Sequence, residues 1–232
     1  MSEILMIVTA ADALTLSDGT VHPTGFWAEE LVVAHRALTG AGHRVTIATP
    51  GGRPAPVDPG SLSPQIVGSA ETVAELEAYL ATIADELAHP VALASVRAAD
   101  FAALVLPGGH GPMADLAHDP ELGRLLTEAD AAGRLIAPFC HGPAGLLSAV
   151  DADGRFLFAG RRLAVFTDEE ERTGGTGERT PWWVASTLAE RGAIVEAGEP
   201  WSSFVVRDGT LISGQNPQSS AAVATALLDA LA

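Results

Sequence analysis

Short apolar runs alternate along the chain with stretches whose apolar residues recur every three or four positions, and glycine or proline separates them. Ile4–Val8, Val45–Ala48, Ala103–Leu106 and Leu135–Phe139 are runs of the length and β-branched character of buried strands. Trp27–Leu38 reads as a helix closed by the glycines of "TGAGH", and Glu71–Leu87 as a second, with Val73, Leu76, Leu80, Ile83 and Leu87 on one face. Glu121–Ala132, Gly142–Val150 and Ser219–Leu231 complete the helical pattern. Leu163–Phe166 reads as a further strand, and "SFVVRDGTLIS" as a hairpin turning at Asp208-Gly209. Pro138 has no N–H to give a ladder and weakens the interior pairing of its strand. Strands and helices in alternation predict an α/β protein with a mostly parallel central sheet. With no internal repeat and no clear linker, a single domain over residues 1–232 is expected, with insertions near 51–100 and 167–181.

Composition narrows the function classes. Hydrophobic residues make up 47% of the chain and charged residues 18%, which is globular rather than disordered. Thirteen basic against 29 acidic residues leave a net charge of −16, which repels phosphate backbones and anionic lipid. No nucleic acid and no membrane partner is therefore expected. The lone Cys140 cannot form an internal disulfide. The N-terminal apolar run has no basic segment before it and is broken by Thr9 and Asp12, so a secretory signal is not expected and the location expected is cytoplasmic.

Four elements carry candidate chemistry. In "PFCHGPAGLL" (138–147) a strand ends at Cys140 and a helical pattern follows at once, the arrangement of a nucleophile elbow with Cys in place of Ser. It would set the sulfur at the carboxyl edge of the sheet, near helix N–H groups that favour a thiolate. Gly142 lets the chain turn tightly, and the N–H of His141 could serve a developing oxyanion. A buried Cys packed as a small hydrophobe fits the same tripeptide, and the residues alone leave both readings open. In "PGGHGP" (107–112), also directly after a strand, the glycines admit backbone N–H groups close to a bound oxygen. On the helix at 27–38, Trp27, Leu31, Ala34 and Leu38 form an apolar stripe with Glu30 at its edge, while Glu29 points nearly opposite. Glu30 would have a raised pKa if buried, and would be a boundary residue reaching water if not. In "FTDEEE" (166–171) an acid could orient His141, and periodicity does not choose among Asp168, Glu169, Glu170 and Glu171.

Taken together, "TGFWAEEL" (24–31), "AGHRVTIATPGG" (41–52), "LVLPGGHGPMADL" (104–116), "FCHGPAGLL" (139–147), "FTDEEE" (166–171) and "DGTLISGQNPQSS" (208–220) resemble the DJ-1/PfpI superfamily, and in detail its Hsp31-like, glyoxalase III-like branch. The resemblance implies a flavodoxin-like three-layer α/β/α sandwich with a nucleophile elbow, related to the class I glutamine amidotransferase fold and commonly dimeric. It implies Cys140 as nucleophile, His141 as its partner and Glu30 beside the sulfur. The oxyanion donors would be the backbone N–H groups of Gly109 and His141. Glu171 is favoured as the triad acid by likeness to yeast-type members, and Asp168 by likeness to the bacterial type. The activity implied is conversion of methylglyoxal, or a related 2-oxoaldehyde, to a 2-hydroxy acid through a Cys hemithioacetal, with no cofactor. A holding chaperone or redox sensor, or a peptidase- or amidase-like hydrolase, are the alternatives. A small reactive carbonyl substrate and a second copy of the chain are the partners expected.

An amidotransferase or papain-like enzyme would place its His later than its Cys in the chain, and no His follows His141. His22, His110, His118, Cys140 and His141 contain no C-x-x-C or H-x-x-x-H spacing, and no metal site is expected from them.

Overall fold

A computed structural model describes residues 1–232. Seven strands form one sheet in the order Val205–Asp208, Leu211–Gly214, Leu135–Pro138, Ala103–Leu106, Glu3–Ile7, Arg44–Thr49 and Val91–Ala92. Every pairing is parallel except that of the first two, which form the hairpin turning at Asp208-Gly209. Gly209 adopts a φ of 60°, the left-handed conformation such a turn demands.

The pleat divides the strand residues between two cores. Leu5, Ile7, Leu104, Leu106 and Ile136 face one side, where Leu122, Leu125 and Leu126 of the helix Pro120–Ala131 cover them. Ile4, Met6, Val8, Val105, Ala137 and Phe139 face the other, under Leu31, Ala34 and Leu38 of the helix Ala28–Gly40 and Val223 and Leu227 of the helix Ser220–Leu231. Both faces of the central strands are dry, which is why those strands read as continuous apolar runs rather than alternating ones. The result is the three-layer α/β/α sandwich expected. No helix is long and apolar enough to cross a membrane.

Pro138 lies inside the sheet, paired in register with Leu106. Toward the hairpin, Ile136 donates its N–H to Thr210 and Cys140 donates to Gly214 at 2.9 Å, so the proline interrupts a ladder that resumes two residues later. Several other expectations are corrected. The helix expected over 71–87 is two, Ala70–Thr82 and Ala84–Ala88, broken at Ile83, whose φ of −115° is not helical. The stretch 142–150 forms a 3₁₀ helix, Gly142–Ser148, because Gly142 and Pro143 enter it in a tight turn held against the neighbouring strand. Of 163–166, only Arg162–Leu163 pairs, and with Ile194–Val195 in a separate two-stranded ladder. Within the 51–100 segment, Val91–Ala92 extends the central sheet at its edge. A short hairpin, Ala13–Thr15 with Val21–Pro23, had no pattern long enough to show in the sequence.

Candidate active site

Parallel neighbours end on the same side of a sheet. Ala103–Leu106 therefore delivers Pro107-Gly108-Gly109, and Leu135–Pro138 delivers Phe139-Cys140-His141, to one carboxyl edge, where open α/β sheets hold ligands. Cys140 has a φ of 55°, a left-handed conformation that costs a non-glycine residue roughly 1–2 kcal/mol. Three hydrogen bonds hold the turn in place: Cys140 N–H to Gly214, Phe166 N–H to the Cys140 carbonyl, and Gly142 N–H to Phe139. A Cβ on Gly142 would lie 2.0 Å from the Leu106 carbonyl oxygen, and one on Gly108 would lie 2.5 Å from the His141 nitrogen. Only glycine lets the two loops approach this closely.

Glu30 sits in the first turn of the helix Ala28–Gly40 with none of its surface exposed. Its Oε2 accepts the Gly108 N–H at 2.6 Å, and its Oε1 has no hydrogen-bond partner apart from the adjacent Cys140 thiol. Burial pushes its pKa up to about 8, against the opposing pull of the Gly108 and Cys140 contacts. Burial likewise pushes the Cys140 thiol well up, and an ionised Glu30 would push it further. At neutral pH, however, Glu30 is mostly protonated. A neutral carboxyl exerts no charge repulsion and has an O–H to give to sulfur, while the N–H groups of Gly109 and His141 also favour the thiolate. Burial thus resolves the two readings of Glu30 in favour of an inward carboxyl. Glu29, expected to point away, is half-buried and lines the cavity beside Trp27.

His141 presents Nδ1 to the Cys140 sulfur at 3.3 Å and Nε2 to Glu171 Oε2 at 2.7 Å. Burial lowers its pKa, an effect the Glu171 carboxylate partly offsets, so the imidazole is neutral and able to accept a proton. Burial works against ionising Glu171. The hydrogen bonds from His110 and His141 nevertheless outweigh it and hold its carboxyl far below the usual carboxylate range. Thr176 adds its N–H at 2.6 Å and its hydroxyl at 2.9 Å, both to Oε1.

The other acids of the 166–171 stretch are engaged elsewhere. Glu170 closes a capping box with Thr167 and accepts from Trp201 N–H, Gln215 and Asn216. Asp168 bonds the Ser186 hydroxyl, and Glu169 is exposed. The structure thus brings Cys140, His141, Glu30, Glu171 and the Gly109 loop together and leaves Asp168 outside. The box is written in the sequence as Thr-x-x-Glu, a signal that would have removed Glu170 from the candidates.

His110 was anticipated only as part of a backbone loop and as a histidine without ligand spacing. Its Nε2 lies 3.1 Å from both oxygens of Glu171, and its ring lies 4.3 Å from that of His141. Nothing in local spacing reports a contact across 61 residues. Its place at the carboxyl end of a buried strand was the available cue. A cavity of about 330 Å³ opens onto Cys140, walled by His110, Trp27, Ile66, Val67, Phe166 and Trp201. Ile66 and Val67 come from the 51–100 segment, which therefore borders the site.

The chain and its fold are similar to known proteins. The chain is 30% identical over 229 residues to the protein/nucleic acid deglycase HchA of Pseudomonas aeruginosa, covering 94% of this chain and 77% of the relative. The structure of the rapid encystment protein of Francisella tularensis superposes with a TM-score of 0.88 at 25% identity, covering 100% of both chains. Glyoxalase III of Candida albicans shares the fold, with a TM-score of 0.81 at 24% identity over 98% of this chain and 96% of that one. The sequence model of the DJ-1/PfpI family matches residues 21–160, a span that holds the helix with Glu30, the Gly108-Gly109 loop and the Cys140 elbow, and the chain belongs to that family.

Proposed function

We propose that the protein is a cofactor-independent glyoxalase of the glyoxalase III type, converting methylglyoxal or a related 2-oxoaldehyde to the 2-hydroxy acid. The observation that carries this reading is Glu30, a fully buried, largely neutral carboxyl with one oxygen fixed by Gly108 N–H and the other beside the sulfur. A hydrolase needs no such group next to its nucleophile. An aldehyde-to-acid isomerisation needs a proton carrier there.

The sequence of steps balances on these residues. The Cys140 thiolate adds to the aldehyde carbon, and Glu30 gives its proton to the resulting oxyanion while the Gly109 and His141 N–H groups hold it. Glu30 is then a carboxylate of raised basicity. It takes the C1 proton to give an enediolate, the hemithioacetal hydroxyl passes its proton from the C1 oxygen to the C2 oxygen, and Glu30 returns its proton to C2, leaving a thioester of the 2-hydroxy acid. His141, oriented by Glu171, takes a proton from the water that attacks the thioester; the acid and the thiolate are released, and the proton on His141 passes back to Glu30 to restore the starting state. The related Pseudomonas protein is named a deglycase. The same cysteine addition to a carbonyl would begin either reaction, so free and glycated substrates belong in one assay.

The deciding experiment incubates purified protein with methylglyoxal, without glutathione, and follows lactate for the wild type, Cys140→Ala and Glu30→Gln. Lactate from the wild type alone supports the scheme. Unchanged turnover in Glu30→Gln refutes the role given to that carboxyl. Absence of lactate from all three refutes the activity and transfers weight to a holding chaperone or redox sensor.

A further inference from the structure

We propose that His22, Asp58 and His110 form a binding site for a divalent transition-metal ion such as Zn²⁺, distinct from the nucleophile. The three residues come from three separate segments: the edge of the Val21–Pro23 strand, the turn before Pro59–Leu62, and the loop after Ala103–Leu106. One donor atom from each lies within 4.8 Å of the others. The His22 and His110 rings meet edge to face, with centroids 5.7 Å apart.

Two imidazoles and a carboxylate suit Zn²⁺, Co²⁺ or Ni²⁺ rather than Mg²⁺ or Ca²⁺, which prefer all-oxygen sets. Metal bonds of about 2.0–2.1 Å put tetrahedral donors roughly 3.3 Å apart. Closing a spacing of up to 4.8 Å to that distance needs side-chain movement, and His22, half-buried on a short hairpin, is the least held of the three.

The surroundings of the donors strengthen the assignment. A metal-binding histidine usually gives its other ring N–H to a carboxylate, which fixes the tautomer and aims the free lone pair. His110 already does this: Nε2 is engaged by Glu171 at 3.1 Å, which leaves Nδ1 for the ion. Asp58 is 3% exposed and held at both oxygens, Oδ2 by the Thr24 hydroxyl and Oδ1 by the Gly60 N–H, each at 2.8 Å. These bonds orient the carboxylate and leave lone pairs on it for a cation. The net charge of −16 raises the local concentration of cations around the whole molecule. Three protein ligands leave the fourth position to water, the pattern of an open site.

A second donor set, His110, His141 and Glu171, shares His110 and lies within the catalytic cluster. The experiment must separate the two. Chelator-treated wild-type protein is titrated with Co²⁺ and followed by visible d–d absorption, beside His22→Ala, His22→Phe and His141→Ala, with circular dichroism confirming that each is folded. The expected result is one Co²⁺ per chain in the wild type and in His141→Ala, displaced by Zn²⁺, with affinity at least tenfold lower in both His22 variants. Equal affinity in folded His22 variants, or loss of binding in folded His141→Ala, would overturn the proposal, because the ion would then sit on the His110, His141 and Glu171 set. Absence of any saturable band in the wild type would overturn it as well.

Discussion

Replacing Glu30 by Gln should make the protein less active and, at alkaline pH, more stable. An unfolded chain releases the Glu30 proton near the ordinary value of 4.5, whereas the folded protein keeps it to about 8. Between those values the folded state holds one more proton than the unfolded state, so stability falls as pH rises, by about 1.4 kcal/mol per pH unit. Below 4.5 both states are protonated and the carboxyl costs nothing; above 8 both are ionised and the loss is complete. From 4.5 to about 8 is about 3.5 pH units, and the accumulated cost at pH 8 is on the order of 5 kcal/mol. Gln fills the same volume and keeps an oxygen for the Gly108 N–H. It leaves one buried N–H₂ group poorly paired against sulfur, at roughly 1–3 kcal/mol independent of pH. Urea unfolding of wild type and Glu30→Gln at several pH values from 5.5 to 8.5 is the assay. The difference in stability should climb with pH in favour of the variant and level off near 8. Repeating the comparison in a Cys140→Ala background removes the thiol's own titration from it. Parallel curves across the range would refute the reasoning, since they would mean that Glu30 ionises in the folded protein as it does in water.

Further tests address the rest of the site. The pH profile of kcat/KM should fall above about pH 8, where Glu30 loses the proton that it donates, and Glu30→Asp should move that limb. Glu171→Gln should lower kcat by roughly 10²–10⁴, since it upsets the His141 tautomer without moving the sulfur. The folded pKa of Glu171 is depressed, so its stabilisation is full above the ordinary value and is lost as pH falls below it; acid unfolding of Glu171→Gln should lack that component. Gly142→Ala should destabilise the fold by about 3 kcal/mol or more in urea, because a Cβ 2.0 Å from a strand carbonyl forces the elbow to move.

Much of this was readable from the chain because it depends on neighbours in sequence. Strand, tight turn and nucleophile are contiguous at 135–142, and the parallel sheet follows from dry apolar runs. Glu30 lay at the edge of a stripe, and periodicity alone favoured a boundary residue. Its full burial comes from the Gly108-Gly109 loop closing over the helix start, a contact 78 residues away. The contact of His110 with Glu171, across 61 residues, is hidden from the sequence for the same reason. Leu163–Phe166 has the composition of a central strand, yet the hairpin strand beside Leu135–Pro138 fills the place it would have taken. The Gly142 helix tightens to 3₁₀ because it is wedged under the Leu106 carbonyl. That reduces the helix dipole to a small influence on the thiolate, and shifts the burden onto Glu30 and the two backbone N–H groups.

The two carboxyl groups of the site divide its work through their surroundings. Glu171 has every oxygen engaged, by His110, His141 and both donors of Thr176, and these bonds keep it ionised. An anion held at so many points is a poor proton carrier and a good anchor, so the part we propose for it is to fix the His141 ring. Glu30 has one oxygen fixed and one beside the sulfur, in a setting that favours the neutral form. Its pKa near 8 lies close to that of a proton donor and acceptor working at neutral pH, which is where transfer in both directions is fastest. In the proposed scheme, the same burial that weakens the fold is what lets a carboxyl gain and lose a proton within one turnover. Exchanging these environments, by opening Glu30 to water or stripping the donors from Glu171, should therefore abolish turnover even with Cys140 and His141 untouched.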